Sequence, residues 1–447
     1  MSLDLERNEL LERILNGTDE EVSKLVEDLH PVDILDLLHD NQEEFLEVLK
    51  KLPDWLIADI VDEEKDEEKY EILKKFSEAK QKKILEEMSS DELTDLVGAL
   101  DEEESKNILK NMNAEDREDV RQLLTYKPDT AGGIMAKEFL AISENQTIEE
   151  TLKYLQKEAP EAETAYYIYV VDDNEILKGV VSLRDIVSSK FSTKIADITH
   201  ENVISVPYDM DQEEVAQKFT KYGFLTMPVV DEDNIILGII TIDDIVDIMQ
   251  EETTEDIHRL GGLDEEEKVN GSLKDSIKSR LPWLIVNLVT AILAASVVGI
   301  FEGTISQVVT LATFMPIVAG MGGNAGTQSL TIVVRGIALG ELTGENAKRV
   351  FLKELLVGLT TGIVIGAIIA VLGYIWESNV IFGIVIGVAM ILNMLVATMS
   401  GFIVPVILKK LKVDPALASA VFVTTVTDVL GFFFFLGLAT VFLQYLI

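Results

Sequence analysis

Residues 379–408 read NVIFGIVIGVAMILNMLVATMSGFIVPVIL, with no charged side chain anywhere in the run. The hydrocarbon core of a bilayer is about 30 Å thick, and roughly 20 apolar residues in a helix cross it. This stretch is long enough to cross and too apolar for a soluble surface, so the chain is an integral membrane protein. Working outward from it, four more apolar runs lie near residues 282–302, 305–334, 352–376 and 415–446. Five spans therefore fill residues 281–447.

The charge follows the same division. The chain has 447 residues and a formal net charge of −40. From Leu281 onward, seven acids stand against seven bases, so residues 1–280 carry the whole excess with 71 acids and 31 bases. Such a density repels itself and condenses cations. One reading is a solvated acidic surface; the sharper one is that some carboxylates form divalent-cation sites. No basic patch exists to neutralise phosphate, so nucleic acid is not an expected partner. Cysteine is absent and the four histidines lack ligand spacing, which argues against disulfides and zinc-type sites. The N-terminus, MSLDLERNELLERIL, lacks the apolar core of a signal peptide and is expected to begin in the cytoplasm.

Residues 1–130 read as an all-α superhelical domain of short helices. Apolar residues recur at helical spacing in Leu93, Leu96, Val97 and Leu100. Ser89 with Glu92 has capping-box spacing, and Asn113 with Asp116 marks another start. A turn-rich linker follows at Asp129-Thr130-Ala131-Gly132-Gly133. Residues 131–249 contain an internal repeat: Val171-Asp172, Gly179 and Asp185-Ile186-Val187 recur as Val230-Asp231, Gly238 and Asp244-Ile245-Val246, 59 residues later. At the front, Ile142-Ser143 and Thr147 align with Ile204-Ser205 and Asp209 at an offset of 62, making the first copy three residues longer. Each copy reads as helix, strand, turn, strand, helix. This α/β order in tandem resembles a CBS-domain pair. Residues 250–280 are polar and helical in pattern, with interruptions at Gly261-Gly262 and Gly271.

Two features inside the spans carry chemistry. Asp428 lies within the last span, and a carboxylate at bilayer depth costs about 2.5–3.5 kcal/mol on insertion scales. Either it is protonated and bonded to a neighbouring helix, or it faces a water-filled cation path. The second span carries Pro316-Ile317-Val318-Ala319-Gly320-Met321-Gly322-Gly323-Asn324-Ala325-Gly326-Thr327-Gln328. Its glycines serve close helix packing, or they loosen a backbone whose oxygens join Asn324 and Gln328 as hard ligands. Magnesium prefers oxygen ligands, keeps several waters and needs few carboxylates. Asn393 in the fourth span is a further candidate of this kind.

Residues 316–328, Asp414-Pro415-Ala416 and Thr427-Asp428 resemble the membrane motifs of the MgtE family of magnesium channels and transporters. The Asp129-Thr130-Ala131-Gly132 linker, the CBS pair and the five spans occur in that family's order. The resemblance implies a homodimer with a pore between its membrane halves, and a cytosolic magnesium sensor that closes the pore through a plug helix near residues 250–275. It places Asp428 on the ion in the pore, Asn324 nearby and Asp414 at the cytoplasmic mouth. It also implies ATP at the CBS pair, where Ser182, Asp185, Thr241 and Asp244 match the Ser/Thr and Asp that hold ribose in other CBS pairs; the alternative there is a plain strand-to-helix cap.

The expected protein is thus a magnesium-selective, cytosolic-magnesium-gated channel in the plasma membrane. It comprises a helical domain (1–130), a CBS pair (131–249), a connecting plug helix (250–280) and a five-helix pore domain (281–447). A proton-coupled carrier and a non-conducting ion or nucleotide sensor are the alternatives. No nucleophile–base constellation or Walker sequence points to an enzyme. Asp243, Asp247, Glu251, Glu252 and Glu255, adjacent or three to four apart, share one face of the helix entering the plug and are the candidate sensor ligands.

Bases cluster in the loop at 335–353 (four) and at 409–412 (three), against single acids in the opposite loops. Positive loops stay inside, so the N-terminus is cytoplasmic and the C-terminus outside. A cysteine introduced by Lys410→Cys should resist a membrane-impermeant thiol reagent in intact cells, while a tag after Ile447 is reachable; labelling of the cysteine from outside would refute the topology.

Overall fold

The computed structural model describes residues 2–447 apart from residues 28, 42–43, 65, 160–161, 264–266, 268, 270 and 418. The 158–164 loop, the simplest place for the extra residues of the first repeat copy, and the 250–275 plug therefore lie partly outside the described residues. The chain divides into two compact units, Met1–Ile248 and Met249–Ile447.

Among the described residues, the first unit opens with ten short helices, from Ser2–Asn16 to Ala114–Leu123. Polar caps set their starts. Ser89 and Glu92 form the reciprocal capping box, and Asn113 accepts from the backbone of Glu115 and Asp116, each at 2.9 Å. One continuous apolar core runs through them, from Leu11 and Ile14 to Ile108 and Val120. Each short helix buries its face against its neighbours, as in a superhelical array. The glycine-rich stretch that follows is pinned rather than loose: Ala131 and Gly132 donate backbone hydrogen bonds to Met210 (2.7 Å) and Tyr208 (2.8 Å).

The repeat forms two three-stranded sheets. In each, a short leading strand pairs parallel with the middle strand, which pairs antiparallel with the third. The leading strands were not anticipated, and they correct the alignment of the repeat's front. Ile142 pairs with Val170 and Val206 with Val229, and the helix caps are Thr147 and Asp211. The front offset is therefore 64, and the first copy is five residues longer rather than three. Ile204-Ser205 resembles Ile142-Ser143 in residue type but lies ahead of the strand Val206–Pro207.

The rear of the repeat holds its 59-residue offset because the turns are chemically the same. Asp172 accepts from Asn174 and Ile176, and Asp231 accepts from Asp233 and Ile235. Glu175 and Asn234 both take φ of 64°. The two copies meet through the Tyr169 and Thr226 hydroxyls, 3.0 Å apart.

The long helix Ile242–Leu260 starts in the first unit and ends in the second. It stops at the Gly261-Gly262 pair, with Gly262 at φ 70°. The first membrane helix, Leu273–Ile300, begins eight residues before the expected boundary at 281. A short helix, Glu302–Gln307, follows. The second to fifth membrane helices are Thr310–Ala338, Ala347–Glu377, Val380–Lys410 and Ser419–Val441. Among the described residues, four helices are long and apolar enough to cross a membrane, and the second is not among them. It has the length, at 29 residues, but its Gly, Asn, Thr and Gln residues dilute its apolarity.

The third and fourth helices approach at backbone distance. A Cβ at Gly383 would stand 2.5 Å from the Ala370 carbonyl oxygen, and one at Gly366 would stand 2.8 Å from that of Gly387. Small residues at such crossings let dispersion hold helices that gain nothing from leaving lipid. Near the start of the third helix, Glu354 is buried at 3% exposure. The Ser329 hydroxyl lies 2.9 Å from its carboxylate and 3.1 Å from the Thr398 carbonyl, and Lys353 lies 3.3 Å away. The first helix, by contrast, is almost bare, with 6% of its apolar window buried.

Gly383→Val should destabilise the bundle by about 1–3 kcal/mol through overpacking. A lower Tm in detergent would show it, whereas Gly299→Ala, with nothing within 4 Å, should leave Tm unchanged.

Candidate functional site

Of the membrane residues singled out from sequence, Asn324 and Gln328 fall on the second helix and Asp428 on the neighbouring fifth, while Asn393 lies on the fourth. Gly326 on the second helix packs against the fifth: a Cβ there would stand 2.6 Å from Val423 and 3.5 Å from Thr427. Thr427 is buried, and Asp428, next to it, is half-buried. On the second helix Ala325, Gly326 and Ser329 turn into the bundle, while Asn324, Thr327 and Gln328 stay exposed. Among the described residues, the side chains of Asp428, Asn324 and Gln328 have no hydrogen-bond partner within the chain. A carboxylate bonded to a neighbouring helix of its own chain is thus not what the fold provides. Asn324, Thr327 and Gln328 form an exposed polar stripe on the second helix, and Asp428 is half-buried on the fifth.

Asp414 sits where the helix Ile242–Leu260 ends. It accepts from the backbone of Ala416 at 2.7 Å and is paired with the Arg259 guanidinium, which also pairs with Glu255. Leu260 packs against Leu330, Val334 and Ala416. Asp256 lies in the same place; burial, then Asp414 and Glu252, push its carboxyl up to about 6. Arg259 was not singled out from sequence, although its spacing of four from Glu255 is a readable signal.

The five candidate sensor acids do share one helix, but they do not share one unit. Asp243 and Asp247 stand in the first, and Glu251, Glu252 and Glu255 in the second. In the first unit Asp243 and Asp244 face carboxylates that the sequence did not single out. Burial and Asp244 hold Asp91 well above the usual carboxylate range. Burial, Asp62 and Asp91 push Glu92 up to about 9. Burial, Asp244, Asp243 and Glu138 push Glu163 up to about 7. These acids come from both the helical array and the CBS pair, so no local pattern in the sequence could have gathered them.

The two Ser/Thr–Asp pairs differ in setting. The Ser182 hydroxyl donates to Asp185 at 2.5 Å and holds that carboxyl below its usual range. Tyr166, Tyr167, Ser182, Leu183, Arg184, Val187 and Leu225 line a cavity of about 530 Å3 beside it. The Thr241 hydroxyl also caps Asp244, but Thr241 is buried and burial raises the Asp244 carboxyl. Ser182 also accepts from the Asp185 backbone and so caps its helix; the first pair opens onto this cavity.

A multi-helix membrane unit with an uncovered polar face, joined by one helix to an acidic CBS-bearing unit, is the build of a membrane transporter for cations. Family models match along the chain: the MgtE intracellular N domain at residues 29–129, CBS domains at 131–191 and 195–251, and the MgtE divalent cation transporter at 315–438. The magnesium transporter MgtE of Enterococcus faecalis is 42% identical over 329 residues, 74% of this chain and 72% of that one. The namesake from Thermus thermophilus is 39% identical over 330 residues, 73% of each. The chain belongs to the MgtE magnesium transporter family, whose members are transport proteins and not enzymes. Its soluble part resembles a crystal structure of the soluble part of a magnesium transporter (36% identity, TM-score 0.52, 56% of this chain and 98% of that one). It also resembles the cytosolic domain of the Mg2+ channel MgtE in complex with ATP (37% identity, TM-score 0.51, 54% and 99%).

The raised carboxylates give a pH dependence whose sign is fixed. Their protonated forms are favoured in the folded unit, so stability is greatest below the ordinary range near 4.5 and falls as pH rises through about 7 for Glu163 and about 9 for Glu92. In metal-free protein, Tm of the soluble unit should drop between pH 5 and pH 9 (about those limits). Millimolar Mg2+ should remove most of that slope, measured by differential scanning calorimetry.

Proposed function

We propose that this chain forms a homodimeric magnesium channel in the plasma membrane, admitting Mg2+ down its electrochemical gradient and closing when cytosolic Mg2+ is plentiful. The observation that carries this reading is the uncovered face of Asn324, Thr327, Gln328 and Asp428. Three polar residues and a carboxylate against hydrocarbon would be costly. A second copy facing the same surface would cover them and leave a polar path between. Asp428 then holds the ion electrostatically while Mg2+ keeps most of its waters, with Asn324 beside it. The membrane potential supplies about 2.3 kcal/mol per charge per 100 mV, so inward flow needs no ATP hydrolysis.

Gating is proposed to rest on the acidic unit. Residues 1–130 and the CBS pair 131–249 present Asp62, Asp91, Glu92, Glu138, Glu163, Asp243 and Asp244 to one another. Two unit charges about 4 Å apart repel by about 4 kcal/mol at an effective dielectric near 20. Bridging Mg2+ turns that repulsion into cohesion, and the continuous helix Ile242–Leu260 carries the change toward the plug, residues 250–280, and the pore domain, residues 281–447. Asp247, Glu251, Glu252 and Glu255 extend the same acidic helix, and Asp414 anchors its end through Arg259. For ATP, the cavity beside Ser182 suits a nucleotide: tyrosine faces for the base, Ser182 with Asp185 for ribose, and Arg184 for phosphate. The acidic surroundings of Thr241 and Asp244 disfavour a polyphosphate, which narrows the ATP reading to the first copy.

Mg2+ flux into liposomes containing the full chain tests this. Asp428→Ala should lower flux by about 10-fold or more while leaving a folded dimer, and deleting residues 1–130 should leave flux high at millimolar Mg2+ on the cytosolic side. Wild-type flux through well-folded Asp428→Ala would remove the pore assignment, and normal closure of the deletion variant would remove the gating one.

A further inference from the structure

Asn393 is fully buried in the middle of the fourth membrane helix, at 0% exposure. From sequence it stood as one more oxygen ligand, but its surroundings are not those of a ligand. Its Nδ2 donates to the Val318 carbonyl of the second helix at 2.8 Å. Both neighbouring backbones close onto its amide. A Cβ at Gly322 would stand 2.3 Å from Nδ2, and one at Gly431 on the fifth helix would stand 2.8 Å from Nδ2 and 2.9 Å from Oδ1. Glycine at both positions leaves room for a flat amide and for nothing thicker. Among the described residues the Oδ1 has no partner, so the amide is held by one hydrogen bond and by the two glycine backbones.

Gly322 lies two residues before Asn324, and Gly431 lies three residues after Asp428 on the same helix. The thickness of one amide therefore sets how far apart the two polar helices run at that depth. We propose that Asn393 is a positioning residue for ion passage, a spacer that fixes the separation of the helices bearing Asn324 and Asp428 and so the size of cation the path accepts. The proposal rests on the reading of Asp428 as the pore carboxylate. It differs from a ligand role, because Asn393 touches helix backbone and not the ion. It also differs from plain packing, because the separation it sets lies beside the polar face.

The test is the ratio of Mg2+ flux to the flux of the larger Mn2+ and Ca2+, measured on one preparation of liposomes containing the full chain. Size selectivity follows the spacing of the groups around a path, so Asn393→Ala should shift that ratio by about five-fold or more. Adding Gly322→Ala, whose methyl refills the space, should bring it back toward the wild-type value. A variant that merely loses folded protein lowers all fluxes together and leaves the ratio alone. Should Asn393→Ala not remain monodisperse in detergent, the milder Asn393→Ser is read in the same way. An unchanged ratio in a monodisperse variant overturns the spacer role. Asp428→Ala in the same assay separates the two readings: if it conducts as wild type, the pore reading fails, and if it is silent while the Asn393 variants keep the wild-type ratio, the spacer alone fails.

Discussion

Polar groups in a bilayer must be covered, by protein or by water, and this membrane unit is arranged around that requirement. Inside the bundle most of the requirement is met by contact, the Asn393 Oδ1 being an exception among the described residues. The Asn393 amide is bonded to the Val318 carbonyl, and the Ser329 hydroxyl serves Glu354. On the face bearing Asn324, Gln328 and Asp428 it is not met within one chain. The helices thus meet it largely in the interior and leave an exposed polar stripe on the second helix. Glycines bring the backbones of the third and fourth helices into close contact in that interior.

The soluble unit is built on the opposite problem, with too much charge of one sign rather than too few partners. Its apolar core is continuous through the helical array, so the fold does not depend on the acids. The acids gather where the array meets the CBS pair, and their carboxyls are raised because burial and like charges both disfavour ionisation. A cluster of this kind resists being charged without being needed for folding.

Features set by local chemistry were legible in the sequence. The membrane helices, the caps at Ser89 and Asn113, the break at Gly261-Gly262 and the 59-residue repeat each rest on a few adjacent residues. The front of the repeat was misread because Ile-Ser occurs twice, while the strand ladder answers to pairing with Val170 and Val229 and not to residue type. The acidic cluster was illegible because Asp62, Asp91, Glu138 and Glu163 lie on separate segments that only the fold assembles. Asn393 was legible as polar in an apolar run, but its direction was not, since a helix pattern does not say which neighbour a side chain meets. Asp414 stands in a recognisable motif, whereas its cationic partner Arg259 stands in none.

The buried Glu354 bears on how the protein is made. A lone carboxylate near the head of the third helix would be a poor passenger for entry into lipid. Its hydroxyl partner, Ser329, lies 25 residues earlier in the chain, so by the time Glu354 emerges from the ribosome the group that receives it has already been synthesised. The Thr398 carbonyl that shares the Ser329 hydroxyl is made later, on the fourth helix. The second and third helices can thus enter the bilayer as a matched pair, with the fourth locking onto them afterwards. The order of synthesis and the order of polar partnering agree, and the membrane unit can be laid down helix by helix without exposing this carboxylate to hydrocarbon.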